Sequence, residues 1–251
     1  MSNFYRGKRK GNIFDPQNKQ PYRLSRTKVE MFLQCPRCFY LDRRLGADRP
    51  PSFPFTLNSA VDLLLKKEFD SYRSKEEIHP LMKSCSIDAV PFQHNKIDEW
   101  RDALHGGITY LHQPTNFLIT GAIDDLWINR TGELHIVDYK ATAKTGEIDL
   151  DADWQNGYKR QAEIYQWLFR QNAFKVSKRA YFLYCNGDLK ADRFDQILRF
   201  GVKIIPYDGN DSWVEQAINE AHKCLMGSSI PASGSECDFC LYRKTVDEVS
   251  S

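Results

Sequence analysis

The sequence predicts an α/β protein, and three observations carry that prediction. Residues 57–75 (LNSAVDLLLKKEFDSYRSK) form an amphipathic helical pattern, two β-type runs flank the polar turn NRTG at 129–132, and a second helical stretch over about 153–171 precedes further strand patterns. Taken in order, LSRTKVEMFLQCPRCFYLDRRLG reads as a helix that begins near Ser25 or Thr27 and is interrupted at Pro36. RPPSFPF is a proline-rich turn, and Asn58 is placed to cap the helix after it. Residues 74–116 carry only short helical patches. The stretch FLITGAIDDLWINRTGELHIVDYKAT reads as a β-hairpin turning through Gly132. RAYFLYCNG and QILRFGVKIIPY are strand candidates, and DSWVEQAINEAHKCLM is a last helix whose Ser212 and Glu215 have capping-box spacing. Helices and strands alternate around what is expected to be one sheet.

With 251 residues, 41% of them hydrophobic, the chain can bury one sizeable core. The expected organisation is a basic arm over 1–23, one domain over 24–245 and a short tail over 246–251. A net charge of +2 excludes a global polycation, yet Arg6, Lys8, Arg9 and Lys10 cluster without an acid among them. That arm reads either as a solvated tail or as a non-specific phosphate contact. No apolar run is long enough to span a membrane, and the positive N-terminus lacks the apolar region of a signal peptide. A cytoplasmic setting with reduced thiols is the resulting expectation.

The chemistry concentrates on LHIVDYKAT. Strand side chains alternate, so Asp138 and Lys140 point the same way, beside Leu134 and Ile136. Burying that pair demands a partner, which leaves a structural ion pair or a reaction site. On the preceding run Ala122, Asp124, Leu126 and Ile128 share a face, with Asp125 opposite. If Asp124 joins Asp138, two carboxylates and an ammonium meet, and a hard cation such as Mg²⁺ or Mn²⁺ would relieve their repulsion.

Two helices add to this locus. Asp62 lies in line with Leu65, Phe69 and Tyr72, either as a tolerated edge position or as an inward acid awaiting a metal. Gln161 and Tyr165 stand one turn apart, either as a polar surface pair or on a helix that closes over a site. Lys159 and Arg160 precede them, where phosphate contacts would be useful. Separately, Cys35 and Cys38 form one C-x-x-C knuckle, and Cys237 and Cys240 another. The pattern reads as four unrelated buried thiols or as one metal site, and by spacing alone as tetrahedral zinc.

In order, GAID, VDYK and QAEIY resemble the PD-(D/E)xK nuclease superfamily, in its RecB-like branch of helicase-nuclease domains and CRISPR adaptation exonucleases. The resemblance runs from about Leu24 to Cys240 and includes CPRCFYL and CDFC. It implies a restriction-endonuclease-like core, a mixed central sheet flanked by helices, with the cysteines stapling the N- and C-terminal segments. It makes Asp124 and Asp138 metal ligands together with the Tyr139 carbonyl, Lys140 the catalytic lysine, and Gln161 and Tyr165 a substrate-side motif. Asp62 stands where the branch carries a histidine. The branch also implies a [4Fe–4S] cluster at the cysteines, against the zinc that the spacing suggests. The implied activity is metal-dependent hydrolysis of DNA, single-stranded or at a duplex end, in repair, recombination or foreign-DNA processing, with any helicase a separate partner. A nucleic-acid-binding module without cleavage, or an interaction protein on the same fold, are the alternatives.

Overall fold

The computed structural model describes residues 7–51 and 56–250. Arg6 of the basic arm and residues 52–55 of the proline-rich turn lie outside them. In chain order the elements are β1 (Tyr22–Ser25), α1 (Arg26–Gln34), α2 (Pro36–Leu45), α3 (Thr56–Arg73), α4 (Pro80–Ser84), β2 (Ala89–Pro91) and α5 (Ile97–Arg101). There follow β3 (Ile108–His112), β4 (Phe117–Gly121), β5 (Asp125–Asn129), β6 (Leu134–Thr142) and a 3-10 turn (Asp153–Gln155). The chain closes with α6 (Asn156–Gln171), β7 (Arg179–Gly187), β8 (Phe200–Asp208), α7 (Val214–Met226) and α8 (Asp238–Val249). These elements assemble into two compact units, one of residues 1–53, 109–120 and 212–251, the other of residues 54–108 and 121–211.

The second unit holds a five-stranded sheet in the order β2-β5-β6-β7-β8. β6 and β7 run parallel and every other neighbouring pair is antiparallel, which makes the sheet mixed. The expected hairpin forms between β5 and β6, with Leu126 opposite Ile136 and Asp125 opposite Val137. FLITG does not belong to it. That run is β4, in a separate three-stranded sheet ordered β1-β4-β3, so the described chain has two sheets where one was expected.

β6 is covered on both faces. Val137 and Tyr139 join Leu65, Phe69 and Trp127 in one apolar cluster, with Phe69 stacked on Trp127 at 5.5 Å. Residues of alternate parity point the other way, and there Asp138 meets Gln161 of α6. The sheet therefore lies between α3 and α6.

The first unit packs α1, α2 and α7 together. Pro36 occupies the first helical position of α2, where its missing N–H costs nothing. The extended backbone of Cys35 separates α1 from α2. The described part of the basic arm is engaged: Phe14 is buried against Tyr22 and Phe117, and Arg9 pairs with the buried Asp42 at 2.8 Å.

Two capping expectations are corrected. Asn58 lies inside α3, and its amide donates to the Ala141 carbonyl at 3.2 Å. The N-cap position of α7 is Trp213, one residue beyond Ser212, and the Glu215 side chain pairs with the buried His112 at 2.6 Å. Nor is α7 the last helix, since α8 occupies most of what read as a terminal segment. Among the described residues no helix is long and apolar enough to cross a membrane.

Candidate active site and cysteine cluster

All the sequence-predicted acid–lysine residues lie in the second unit. Asp138 is almost fully buried in β6 and carries an ion pair to Lys140 through one oxygen. Its other oxygen accepts from Gln161 Nε2 at 2.8 Å, and Gln161 in turn lies 3.4 Å from the Tyr165 hydroxyl. The Lys140 ammonium also sits 4.3 Å over the ring of Tyr158. Tyr158, Gln161 and Tyr165 thus present one face of α6 to the pair, at spacings of three and four. Burial opposes the charge on Lys140, but Asp138 and Asp124 outweigh it and raise its pKa.

Asp124 is not in a strand, as its expected place in the hairpin implied. It lies on the bend before β5, one step beyond the Asp125–Val137 pair, so that continuing the register sets it opposite Asp138. Its Oδ2 accepts from the Tyr139 amide at 2.8 Å. Burial first, and then the charge of Asp138, push the Asp124 carboxyl up to about 7.

This bend is held from behind by a network that the sequence reading did not anticipate. Asp125 is completely buried and pairs with Arg73 of α3 and, at 2.8 Å, with Arg101 of α5. It also accepts from the Tyr139 hydroxyl at 2.8 Å, so Tyr139 is anchored at both its amide and its phenol. Arg101 in addition donates to the Asp124 carbonyl at 3.0 Å. The close approach of Gly121 to α6 completes the setting, since a Cβ there would lie 2.6 Å from the Tyr165 ring.

Asp62 does not join the other two acids. Lys66, one turn along α3, takes its carboxylate at 2.8 Å and lies 3.8 Å from Asp124. Among the described residues, only the four cysteines bring three or more candidate ligand atoms within 4.8 Å of one another. Asp62, Asp124 and Asp138 therefore do not all come within 4.8 Å of one another as the expected shared point would require; Lys66 stands between Asp62 and Asp124, and Lys140 pairs with Asp138. The signal for Lys66 was its i+4 spacing from Asp62. Lys159 is half-buried and lines a cleft with Glu147, Asp149, Asp151 and Lys203, while Arg160 is half-buried beside it on α6.

A divalent cation fits this donor set in its chemistry. The donors are hard oxygens, and burial together with the facing Asp138 charge disfavours the ionised form of Asp124 until a cation joins them. Mg²⁺ is commonly held by one or two carboxylates, with water and phosphate oxygens completing its shell, so Asp124 and Asp138 suffice without Asp62.

The cysteines gather in the first unit. Cys38 lies 3.5 Å from Cys237 and 3.7 Å from Cys240, and Cys35 lies 3.7 Å from Cys240, sulfur to sulfur. Each knuckle opens a helix: Cys35 caps α2 and Cys237 caps α8. Burial would raise the Cys35 thiol, but amide hydrogen bonds from Cys38 and Gly234 bring it down to about 6. The Gly234 amide reaches Cys35 only because that residue lacks a side chain; a Cβ would lie 2.2 Å from the Gln34 carbonyl oxygen. Cys85, Cys185 and Cys224 stand outside the cluster.

A mixed sheet between helices thus carries a buried aspartate paired with a lysine on one strand and a second acid at the neighbouring bend. The sequence profile of the PD-(D/E)XK nuclease superfamily matches residues 23–245, and the chain belongs to that superfamily. Its members are usually nucleases and use divalent metals. A solved structure described as "Crystal structure of SSO0001" is similar at 14% identity and a TM-score of 0.38, covering 91% of this chain and 87% of that one. No curated protein matches the sequence.

Proposed function

We propose that the chain is a metal-dependent nuclease that hydrolyses DNA phosphodiester bonds. The observation that carries this reading is the cluster of Asp138, Lys140 and Asp124, in which a buried carboxylate paired with a lysine faces a second, partly exposed carboxylate. Asp124 and Asp138 would hold Mg²⁺ or Mn²⁺ together with the Tyr139 carbonyl. Such an ion supplies Lewis-acid polarisation of the phosphate and a more acidic water.

The chain's own side chains have separable tasks. Gln161 fixes the rotation of the Asp138 carboxylate, and Tyr158 and Asp138 together hold the Lys140 ammonium in place. From there Lys140 would stabilise charge developing on the phosphate oxygens. Gln161 and Tyr165 would meet the substrate, with Lys159 and Arg160 nearby for phosphates. We place the chain in the RecB-like branch on GAID, VDYK and QAEIY. The fitting substrates are single strands or duplex ends, in repair, recombination or foreign-DNA processing alongside a separate helicase.

Cleavage of end-labelled and circular DNA, with Mg²⁺ and Mn²⁺ varied, tests this. Lys140→Ala should lower cleavage by about 10²–10³-fold while its fold is retained. Wild-type protein that is folded yet leaves every substrate intact would sink the proposal. One observation favours a second reading, a DNA-binding module without cleavage: Lys66 already neutralises Asp62 and approaches Asp124. That reading predicts salt-sensitive binding with no product in any metal.

A further inference from the structure

We propose that the four cysteines hold a single tetrahedral Zn²⁺, in place of the [4Fe–4S] cluster that the resemblance implies. The geometry separates the two. One zinc with Zn–S bonds of about 2.3 Å sets its four sulfurs about 3.8 Å apart, the edge of the tetrahedron. In a [4Fe–4S] cluster each cysteine takes a different iron and points away from the cube, so its sulfurs stand roughly 6 Å apart. Here the closest pairs are 3.5, 3.7 and 3.7 Å, and all four lie within 4.8 Å of one another. That space accepts one ion and excludes a cube of four irons with its sulfides.

The surroundings match a compact tetrathiolate. Zn²⁺ with four thiolates carries two net negative charges, which buried sites offset with N–H donors and cations. Cys35 accepts from the amides of Cys38 at 3.4 Å and Gly234 at 3.3 Å. Arg49 directs its guanidinium at Cys237, 3.6 Å away, and rests over the Phe239 ring at 4.8 Å. The positive ends of α2 and α8 also converge on the cluster, because the knuckles occupy their first turns. The two-plus-two ligand arrangement agrees, each knuckle supplying one edge of the tetrahedron. The site would be structural, with no open position for water.

The experiment uses the full chain, expressed with both iron and zinc supplied and purified without oxygen. Metal analysis should find about one Zn per chain and almost no iron, in a colourless protein. Replacement by Co²⁺ should give the visible ligand-field bands of a tetrahedral thiolate complex, and Cys240→Ser should shift or abolish them. Brown protein with about four irons per chain would overturn the proposal. So would metal-free protein that binds neither ion. Metal content is read without DNA, so this proposal and the nuclease reading fail independently.

Discussion

The cysteine cluster and the acid–lysine site both gather groups that repel once ionised, yet they resolve the repulsion in opposite ways. The four sulfurs lie within one ion's reach of each other. The three carboxylates are spaced out, with Lys66 between Asp62 and Asp124 and Lys140 against Asp138. The difference follows from intrinsic acidity. An unperturbed thiol is neutral at pH 7, and the Cys35 thiol, brought down to about 6, has the Cys38 and Gly234 amides to hold its charge, whereas carboxylates are already charged. The first site is shaped for a permanent ion. The second carries its own cations, which an incoming ion must displace or share.

The largest expected effect separates the two sites by chelation. Stripping the cysteine-bound metal with a strong thiol-competing chelator should lower the unfolding midpoint by about 10 °C or more, because its binding energy is folding energy. Withdrawing Mg²⁺ alone should move the midpoint by less than about 2 °C, since that site keeps its ammonium groups. Equal shifts would erase the contrast. A smaller effect is expected from Lys66→Met, which removes a competitor for the acids. Calorimetric titration should show Mg²⁺ or Mn²⁺ binding about three- to tenfold tighter, and unchanged or weaker affinity would mean that Lys66 is no surrogate cation.

The smallest effect concerns Asp124 in chelator. Its folded carboxyl keeps a proton up to about 7, against about 4 when unfolded. The folded state therefore binds the extra proton, and wild-type stability declines as pH rises from about 4 to about 7, then levels. Asp124→Asn lacks that decline and should gain about 1 kcal/mol at pH 8, a fraction of the roughly 4 kcal/mol that three pKa units would give because solvent screens the partly exposed carboxylate, with little gain at pH 4. A gain independent of pH would contradict the assignment of the raised pKa.

Much of the candidate site was legible because it rests on short-range geometry. Strand alternation puts Asp138 and Lys140 on one face, and helical spacing puts Gln161 and Tyr165 on another that meets it. Tyr158 carried the same signal, three residues before Gln161. The paired knuckles were equally plain. The fold was less so at 121–124, where an apparently continuous β run breaks between two sheets. That break depends on the Trp100 carbonyl binding the Ile123 amide at 3.1 Å and on the Asp125 network, whose arginines come from α3 and α5.

The sequence by itself determined which side chains share a face, because backbone periodicity acts over a few residues. It also marked the two knuckles, because their spacing lets each pair turn two thiols toward one ion. Only the tertiary structure decided that Lys66 also approaches Asp124, at 3.8 Å, while the cysteines close to within 3.5–3.7 Å in three pairs. Those outcomes depend on distances between charged and neutral groups from remote segments, and packing of the whole chain sets such distances.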